Sequence, residues 1–403
     1  MGHEVVRTQR PVGQGCFFTE EHDLGGGSGF HLVYDCGSTS AAKTALPERV
    51  NEFASRPLSS NGILVVSHFH ADHVNGLHLL KGAKIKFCRT FIPGLTPDQA
   101  RVVFFDAAVR LGKAATGAAA ADALRTAWQL LIDGGEGWEG LVRVIPDEAS
   151  AVPEPVRLPP GGGDHPHSKS LYPDASLAAL DWRIRFYCHV QAGKLADLTK
   201  KFGADFDAAF AGGFESFVDW LRDKKRSGSV VQRYRKAMGV GDGDDKWDNL
   251  VSLCCYTGPG GGRKYGSYIE SAVIPAGALL AAGSWGRHLS RRDVGWLGTG
   301  DIPFGNARRG GAKVWVGFKS HYAGELPSVV LATVPHHGSP EDHQAAFYHR
   351  MMAATVSYGA DVGPRKYGHP DPGVIADIVR RGAVLALVTE DPNSAFVARF
   401  FSR

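Results

Sequence analysis

Residues 68–73 read His68-Phe69-His70-Ala71-Asp72-His73, directly after the apolar run Ile63-Leu64-Val65-Val66. A short apolar run bounded by turn residues reads as a strand. Three imidazoles and a carboxylate therefore sit on one tight loop at a strand's end, a place where few chains put metal-competent groups without using them. His68 and His70, two positions apart, can point one way to clamp one cation, while Asp72 and His73 reach a second a few ångströms off. Imidazole suits zinc, and the carboxylates also admit manganese or iron. Two divalent ions are the expected cofactors, with zinc favoured and manganese the alternative.

The rest of the chain reads as strands interrupted by helical text. Cys16 to Thr19, Phe30 to Asp35 and Ile63 to Ser67 are strand candidates bounded by Gly, Asp, Asn or Ser. Alanine-rich helical text runs from Thr96 to Ile132, with a break predicted near Gly112 to Gly117. Asp133 to Gly140 and Pro153 to Pro166 read as loops. Trp182 to Val190 alternates like a strand, and helical text follows from Lys194 to about Met238. Further strand candidates are Leu250 to Tyr256, Ala278 to Ala282, Lys313 to Gly317, Val329 to Val334, Ala354 to Gly359 and Ala383 to Thr389. Strands from both halves, broken by two helical blocks, predict a four-layer αββα sandwich in the α/β class. The expectation is a single domain over 1–403 with helical insertions at about 96–140 and 192–240.

Composition narrows the function classes. At 403 residues and 43% apolar content the chain can bury a full core, while a net charge of +4 is too small to imply a polyanion partner by itself. Cys16, Cys36, Cys88, Cys188, Cys254 and Cys255 show no C-x-x-C spacing, so reduced thiols are expected rather than a knuckle, a redox pair or a disulfide framework. The first residues lack a signal-peptide pattern, and no stretch approaches 18 consecutive apolar residues. A cytoplasmic protein with no membrane partner is expected.

The metal loop's spacing resembles that of the metallo-β-lactamase superfamily, and the likeness extends along the chain. Pro11-Val12-Gly13-Gln14-Gly15-Cys16 and Leu32-Val33-Tyr34-Asp35-Cys36-Gly37-Ser38 look like the strands that precede the metal loop there. Asn249-Leu250-Val251-Ser252-Leu253, Thr299-Gly300-Asp301, Val334-Pro335-His336-His337-Gly338-Ser339 and Tyr367-Gly368-His369-Pro370 are similar, in order, to later motifs of the hydrolase domain of ComEC, the DNA-uptake channel protein, and its stand-alone soluble relatives.

The resemblance implies site roles. His68, His70, Asp72 and His73 would bind metal, and Asp301 would bridge the two cations. His336 and His337 end an apolar run and enter a Gly-Ser turn, where a sheet presents side chains to a site at its mouth; His336 is favoured as the ligand and His337 as the catalytic or substrate contact. His369 would aim at a phosphate or a leaving-group oxygen, with Ser339, Arg365 and Lys366 as substrate contacts. For a third metal histidine the candidates are His165, His167 and His189, with His189 favoured because it ends a strand. ComEC-type domains often lack a histidine at this place, which leaves open a site with one ligand fewer.

Together these features imply a metal-dependent hydrolase in which Asp72 orients or deprotonates an activated water and a later histidine serves the departing oxygen. The fold type alone does not choose the bond. The His336-to-Ser339 and Gly368-to-Pro370 motifs favour a phosphodiesterase or nuclease, with nucleic acid as the candidate substrate. The basic helical block from Lys194 to Lys236 adds weak support, since such an insertion could flank the cleft and hold phosphates, while the acids interspersed in it fit an ordinary solvated helix face. Two alternatives stand: a hydrolase of a small-molecule ester, thioester or lactone, and an effector with latent activity whose insertions dock a partner protein.

Overall fold

A computed structural model of the chain describes residues 2–25, 29–40, 42–111, 118–146, 163–166, 170–171, 182–202, 204–238, 249–260, 265–271, 294–305, 310–349, 351–359 and 369–402. In chain order the first half carries β1 (Glu4–Gln9), β2 (Gly15–Asp23), β3 (Gly29–Ser38), α1 (Ala45–Ala54), β4 (Gly62–Val65), α2 (Ala71–Val74), α3 (Leu77–Gly82) and β5 (Arg89–Pro93). Then come α4 (Pro97–Leu111), α5 (Ala118–Leu131), β6 (Leu141–Ile145), β7 (Gly163–Pro166), β8 (Ser170–Leu171) and β9 (Trp182–Val190). Four helices follow: α6 (Ala192–Phe202), α7 (Ala204–Ala211), α8 (Gly213–Arg222) and α9 (Lys224–Met238). The last part holds β10 (Val251–Pro259), β11 (Tyr265–Ser271), β12 (Gly295–Gly298), α10 (Gly311–His321), β13 (Val329–Thr333), β14 (Ala353–Ser357), α11 (Pro372–Arg380), β15 (Val384–Val388) and β16 (Phe396–Ser402).

The strands form two sheets, ordered β11-β16-β1-β2-β3-β4-β5-β6-β7 and β15-β14-β13-β12-β10-β9-β8. Side-chain alternation along the central strands shows how they stack. Ile63 and Val65 of β4, with Leu32 and Tyr34 of β3, join a core shared with Ile184, Phe186, Leu253 and Leu331 of the other sheet. Their neighbours Leu64, Val66 and Val33 face outward into a helix-covered core. In the second sheet Leu253 and Cys255 face inward, while Cys254 and Tyr256 pack under α10 and α11 with Phe318, Tyr322 and Ile378. Strands buried on both faces lose the polar alternation of a half-exposed sheet and read as continuous apolar runs. The result is the four-layer αββα sandwich expected from the sequence.

Both helical segments belong to the same outer layer. Phe104 of α4 meets Phe217 of α8 with ring centroids 5.0 Å apart, and Phe105 meets Tyr234 of α9 at 5.3 Å. Aromatic packing thus joins helices far apart in sequence into one body over the first sheet, beside the metal loop.

Three local expectations change. Lys313 to Gly317 is helical, within α10: Val314, Trp315, Phe318 and Tyr322 are buried at helical spacing, whereas Val316 is 61% exposed. The segment read as a loop from Pro153 to Pro166 ends in a strand, β7, paired with β6. Strands β1, β5, β6, β11 and β16 were not among those expected. Ala278 to Ala282 and the predicted break at 112–117 lie outside the described residues. Among the described residues no helix is long and apolar enough to cross a membrane.

Candidate metal centre

The site is assembled where parallel strands of both sheets end. After β4 the chain runs through Ser67 and His68 to His70, which precedes the single turn of α2 carrying Asp72 and His73. Asp301 follows β12, His336 and His337 follow β13, and Ser357 closes β14. Crevices at the carboxyl ends of parallel strands are where such sheets present functional groups, because successive loops converge there.

Several hydrogen bonds fix the metal loop from below. Asp35 is fully buried and holds a left-handed backbone with φ 56°, uncommon for a residue with a side chain. Its carboxylate accepts from the Ser67 amide at 2.7 Å and from the Ser67 hydroxyl at 2.6 Å. The same carboxylate lies 2.8 Å from His73 Nδ1. Ser67 Oγ is 2.9 Å from His68 Nδ1. These contacts leave His68 Nε2 and His73 Nε2 pointing into the centre. Both atoms, together with His337 Nε2, are buried without a hydrogen-bond partner.

Asp301 stands between the two halves. Its Oδ2 lies 3.3 Å from His68 Nε2, 4.0 Å from His70 Nδ1 and 3.7 Å from His336 Nε2, while its Oδ1 is 3.7 Å from His73 Nε2. One oxygen thus faces His68 and His70 and the other faces His73. The Asn249 amide donates to Oδ2 at 3.0 Å and fixes the carboxylate plane. Donor atoms cluster accordingly: His68, His70 and Asp301 form one group, and Asp72, His73 and His337 form another. Cys16, Asp35 and His73 make a third. There burial and the Asp35 charge push the Cys16 thiol well above its usual range. The thiolate is the metal-binding form, so this group is a poor site.

Carboxylates and imidazoles in the centre shift one another's ionisation. Burial opposes ionisation of Asp72, but His73 and His337 hold its pKa well below the ordinary range. Asp301 is likewise held down, against burial, by His336 and His68. His73 is pushed up to about 10, because Asp72 and Asp35 outweigh its burial. Burial lowers His68, assisted by His73, and lowers His70 to about 3, assisted by Arg110, so both rings are neutral as ligands must be. Buried imidazole nitrogens without partners, facing ionised carboxylates, are a donor set that fits divalent cations.

His336 and His337 occupy left-handed backbone in succession, with φ 46° and φ 49°. For residues with side chains this is unfavourable by about 1–2 kcal/mol each, and it turns the two rings apart. His337 Nδ1 donates to the Ser357 carbonyl at 2.9 Å and Nε2 lies 3.2 Å from Asp72 Oδ2. His336 Nδ1 pairs with the buried carboxylate of Asp342. The sequence favoured His336 as the ligand, yet it is His337 that groups with Asp72 and His73. His369 lies beside His336, their ring centroids 5.7 Å apart. Ser339 is buried, and its amide donates to the His336 carbonyl at 2.9 Å, closing the turn.

His189 does not join these groups. It pairs with Ser252 across β9 and β10, and alternation sends its neighbour Cys188, not His189, into the core between the sheets. Burial lowers its pKa to about 4, and its Nε2 has no hydrogen-bond partner. Arg365, Lys366 and His167 lie outside the described residues, as does the side chain of His165. Sequence reasoning missed Asp35, Ser67, Asp106, Asn249 and Asp342. Asp35 and Asn249 stood within motifs already singled out; Asp106 and Asp342 carried no local signal.

Two facing sheets are flanked by helices, with a His-x-His-x-Asp-His loop at one strand's end and an acidic residue opposite, an arrangement that resembles the metallo-β-lactamase fold. Among solved structures, a long form RNase Z from yeast is similar, with TM-score 0.33 and 11% identity, over 89% of this chain and 37% of that one. The chain thus spans little more than a third of that protein's length, and a likeness of this size says nothing about chemistry. No protein-family model and no curated protein matches the sequence.

Proposed function

We propose that this chain is a metal-dependent hydrolase of phosphodiesters, with nucleic acid the favoured substrate. The observation that carries the reading is Asp301, whose two oxygens face two separate groups of nitrogen and oxygen donors. In this reading His68, His70 and Asp301 hold one divalent cation, and Asp301, Asp72, His73 and His337 hold the other. Their imidazoles favour zinc, and the carboxylates leave manganese as the alternative. Bound there, the cations supply an activated water near neutral pH and offset charge on a phosphoryl group.

The chain's own residues do the rest. Asp72, ionised across the working range, would orient the attacking water by accepting a hydrogen bond from it. His336 is braced by Asp342 through Nδ1 and has its Nε2 directed toward Asp301, so in its protonated form it can donate to the departing oxygen. His369, beside it, contacts the substrate with Ser339, Arg365 and Lys366. The choice of phosphodiester rests on the resemblance of the His336-to-Ser339 and Gly368-to-Pro370 motifs to ComEC-type hydrolase domains. None of the six cysteines is joined in a disulfide, and a reducing, cytoplasmic setting is proposed for the chain. We read residues 1–403 as one domain in which the helices of about 96–140 and 192–240 are insertions that could also dock a partner.

The test is cleavage of single-stranded and duplex DNA, RNA and bis-p-nitrophenyl phosphate with Zn²⁺ and Mn²⁺ separately, alongside Asp72→Ala and His70→Ala. Nucleic-acid cleavage lost in both variants supports the reading. Turnover of the small diester alone moves the substrate to a small molecule. Hydrolysis of a thioester or lactone but no phosphodiester refutes it.

A further inference from the structure

We infer that Asp106, carried on α4 of the helical layer, orients His70 for metal binding and so ties that layer to the first cation site. The inference rests on the metal-centre reading above. Each imidazole proposed to ligate has its remote nitrogen held. His68 Nδ1 faces Ser67 Oγ, His73 Nδ1 faces Asp35, and His337 Nδ1 faces the Ser357 carbonyl. All three of those partners belong to strands of the sandwich or the turns that end them. His70 is different: its Nδ1 faces Asp301, and its Nε2 lies 3.4 Å from Asp106 Oδ2, thirty-six residues on.

Asp106 is built to stay in place. It is 3% exposed, and its other oxygen accepts from Arg110 Nε at 2.8 Å and from the hydroxyl of Tyr234 on α9. Tyr234 is fully buried against Phe105 and Phe202 in the aromatic core of the layer. Arg110 supplies the countercharge, so the carboxylate remains an acceptor for the Nε2 proton that His70 must carry when Nδ1 binds metal. A carboxylate behind a ligating imidazole fixes its tautomer and ring plane and raises its basicity, and removing one typically weakens binding about 10–100-fold. Asp106 is thus a positioning residue, and a shift of α4 or α9 alters how the first cation is held.

The experiment uses the full chain, stripped of metal and titrated with Zn²⁺ against a chromophoric chelator and with Co²⁺ by visible absorption. Asp106→Asn and Tyr234→Phe are compared with wild type. The expected result for Asp106→Asn is one equivalent weakened about 10–100-fold, an altered Co²⁺ band for that equivalent, and the other unchanged. Tyr234→Phe weakens the same equivalent by less, and it decides the matter if Asp106→Asn does not fold. Wild-type binding of both equivalents in the variants, or equal weakening of both with a lowered melting temperature, overturns the inference while leaving the metal centre standing. A wild-type chain that binds no metal overturns the metal-centre reading itself.

Discussion

Replacing Gly37 with alanine is expected to disable the centre without touching any ligand. A Cβ built on Gly37 would lie 2.5 Å from the Asp72 carbonyl carbon and the His73 amide nitrogen, and 2.6 Å from the His73 carbonyl carbon. All three are backbone atoms, so no side chain can swing away. Carbon atoms rest about 3.5–4.0 Å apart, so α2 must retreat by roughly 1 Å, taking Asp72 and His73 with it. Gly15 is equally tight against the same backbone, since a Cβ built there would meet the Gly37 carbonyl oxygen at 2.2 Å and the Asp72 carbonyl oxygen at 2.6 Å. Overpacking of this kind destabilises by about 1–3 kcal/mol, and a misplacement of about 1 Å at reacting groups can slow turnover roughly 100-fold. The assay is hydrolysis of bis-p-nitrophenyl phosphate together with metal content and thermal unfolding, with Gly82→Ala as the control because its Cβ would meet nothing within 4 Å. Wild-type turnover and metal content in Gly37→Ala would refute the reasoning.

Asp342→Asn should slow turnover while leaving metal content intact, because it weakens the brace on His336 and touches no member of the two donor groups; equal loss of metal would place His336 among the ligands. Zinc at about 100 times its dissociation constant should stabilise the fold by about 2.7 kcal/mol for each site filled, seen as a raised melting temperature that a chelator reverses and that Asp72→Ala, which keeps only the first donor group whole, reduces. Stability should also fall with acid through His31, a buried imidazole between Phe53 and Phe87 whose pKa is lowered to about 4 by burial. The unfolded chain takes up this proton from near pH 6.5 and the folded chain only near pH 4. The contribution is therefore full above 6.5 and lost as pH falls toward 4, about 2 kcal/mol between pH 7 and pH 5. Denaturant midpoints of wild type and His31→Gln at both pH values check this: the variant's pH dependence should be shallower, and an identical one would contradict it.

What could be read from the sequence was what is local. The metal loop announces itself because four donors fall within six residues at the end of a run as apolar as β4. Asp301 was found through the resemblance of its Thr299-Gly300-Asp301 motif, and the His336-His337 pair through the same resemblance together with the apolar strand it ends. β1 escaped because Arg7, Thr8 and Gln9 look solvent-facing, whereas all three are buried, Arg7 paired with Glu20 at 2.6 Å. His189 was chosen for its place at a strand end, but the face a strand residue takes depends on register, which no single strand reveals. The split between His336 and His337 turns on two left-handed residues in a row, a conformation that histidine text does not signal. Asp106 lies in alanine-rich helical text and acquires its meaning only when α4 folds back over His70.

The central claim is that two cations sit on either side of Asp301. Anomalous diffraction from crystals of the zinc-loaded protein measures this directly. The account predicts two peaks, one among His68, His70 and Asp301 and one among Asp301, Asp72, His73 and His337. A single peak away from Asp301, or none at the loop, would contradict it.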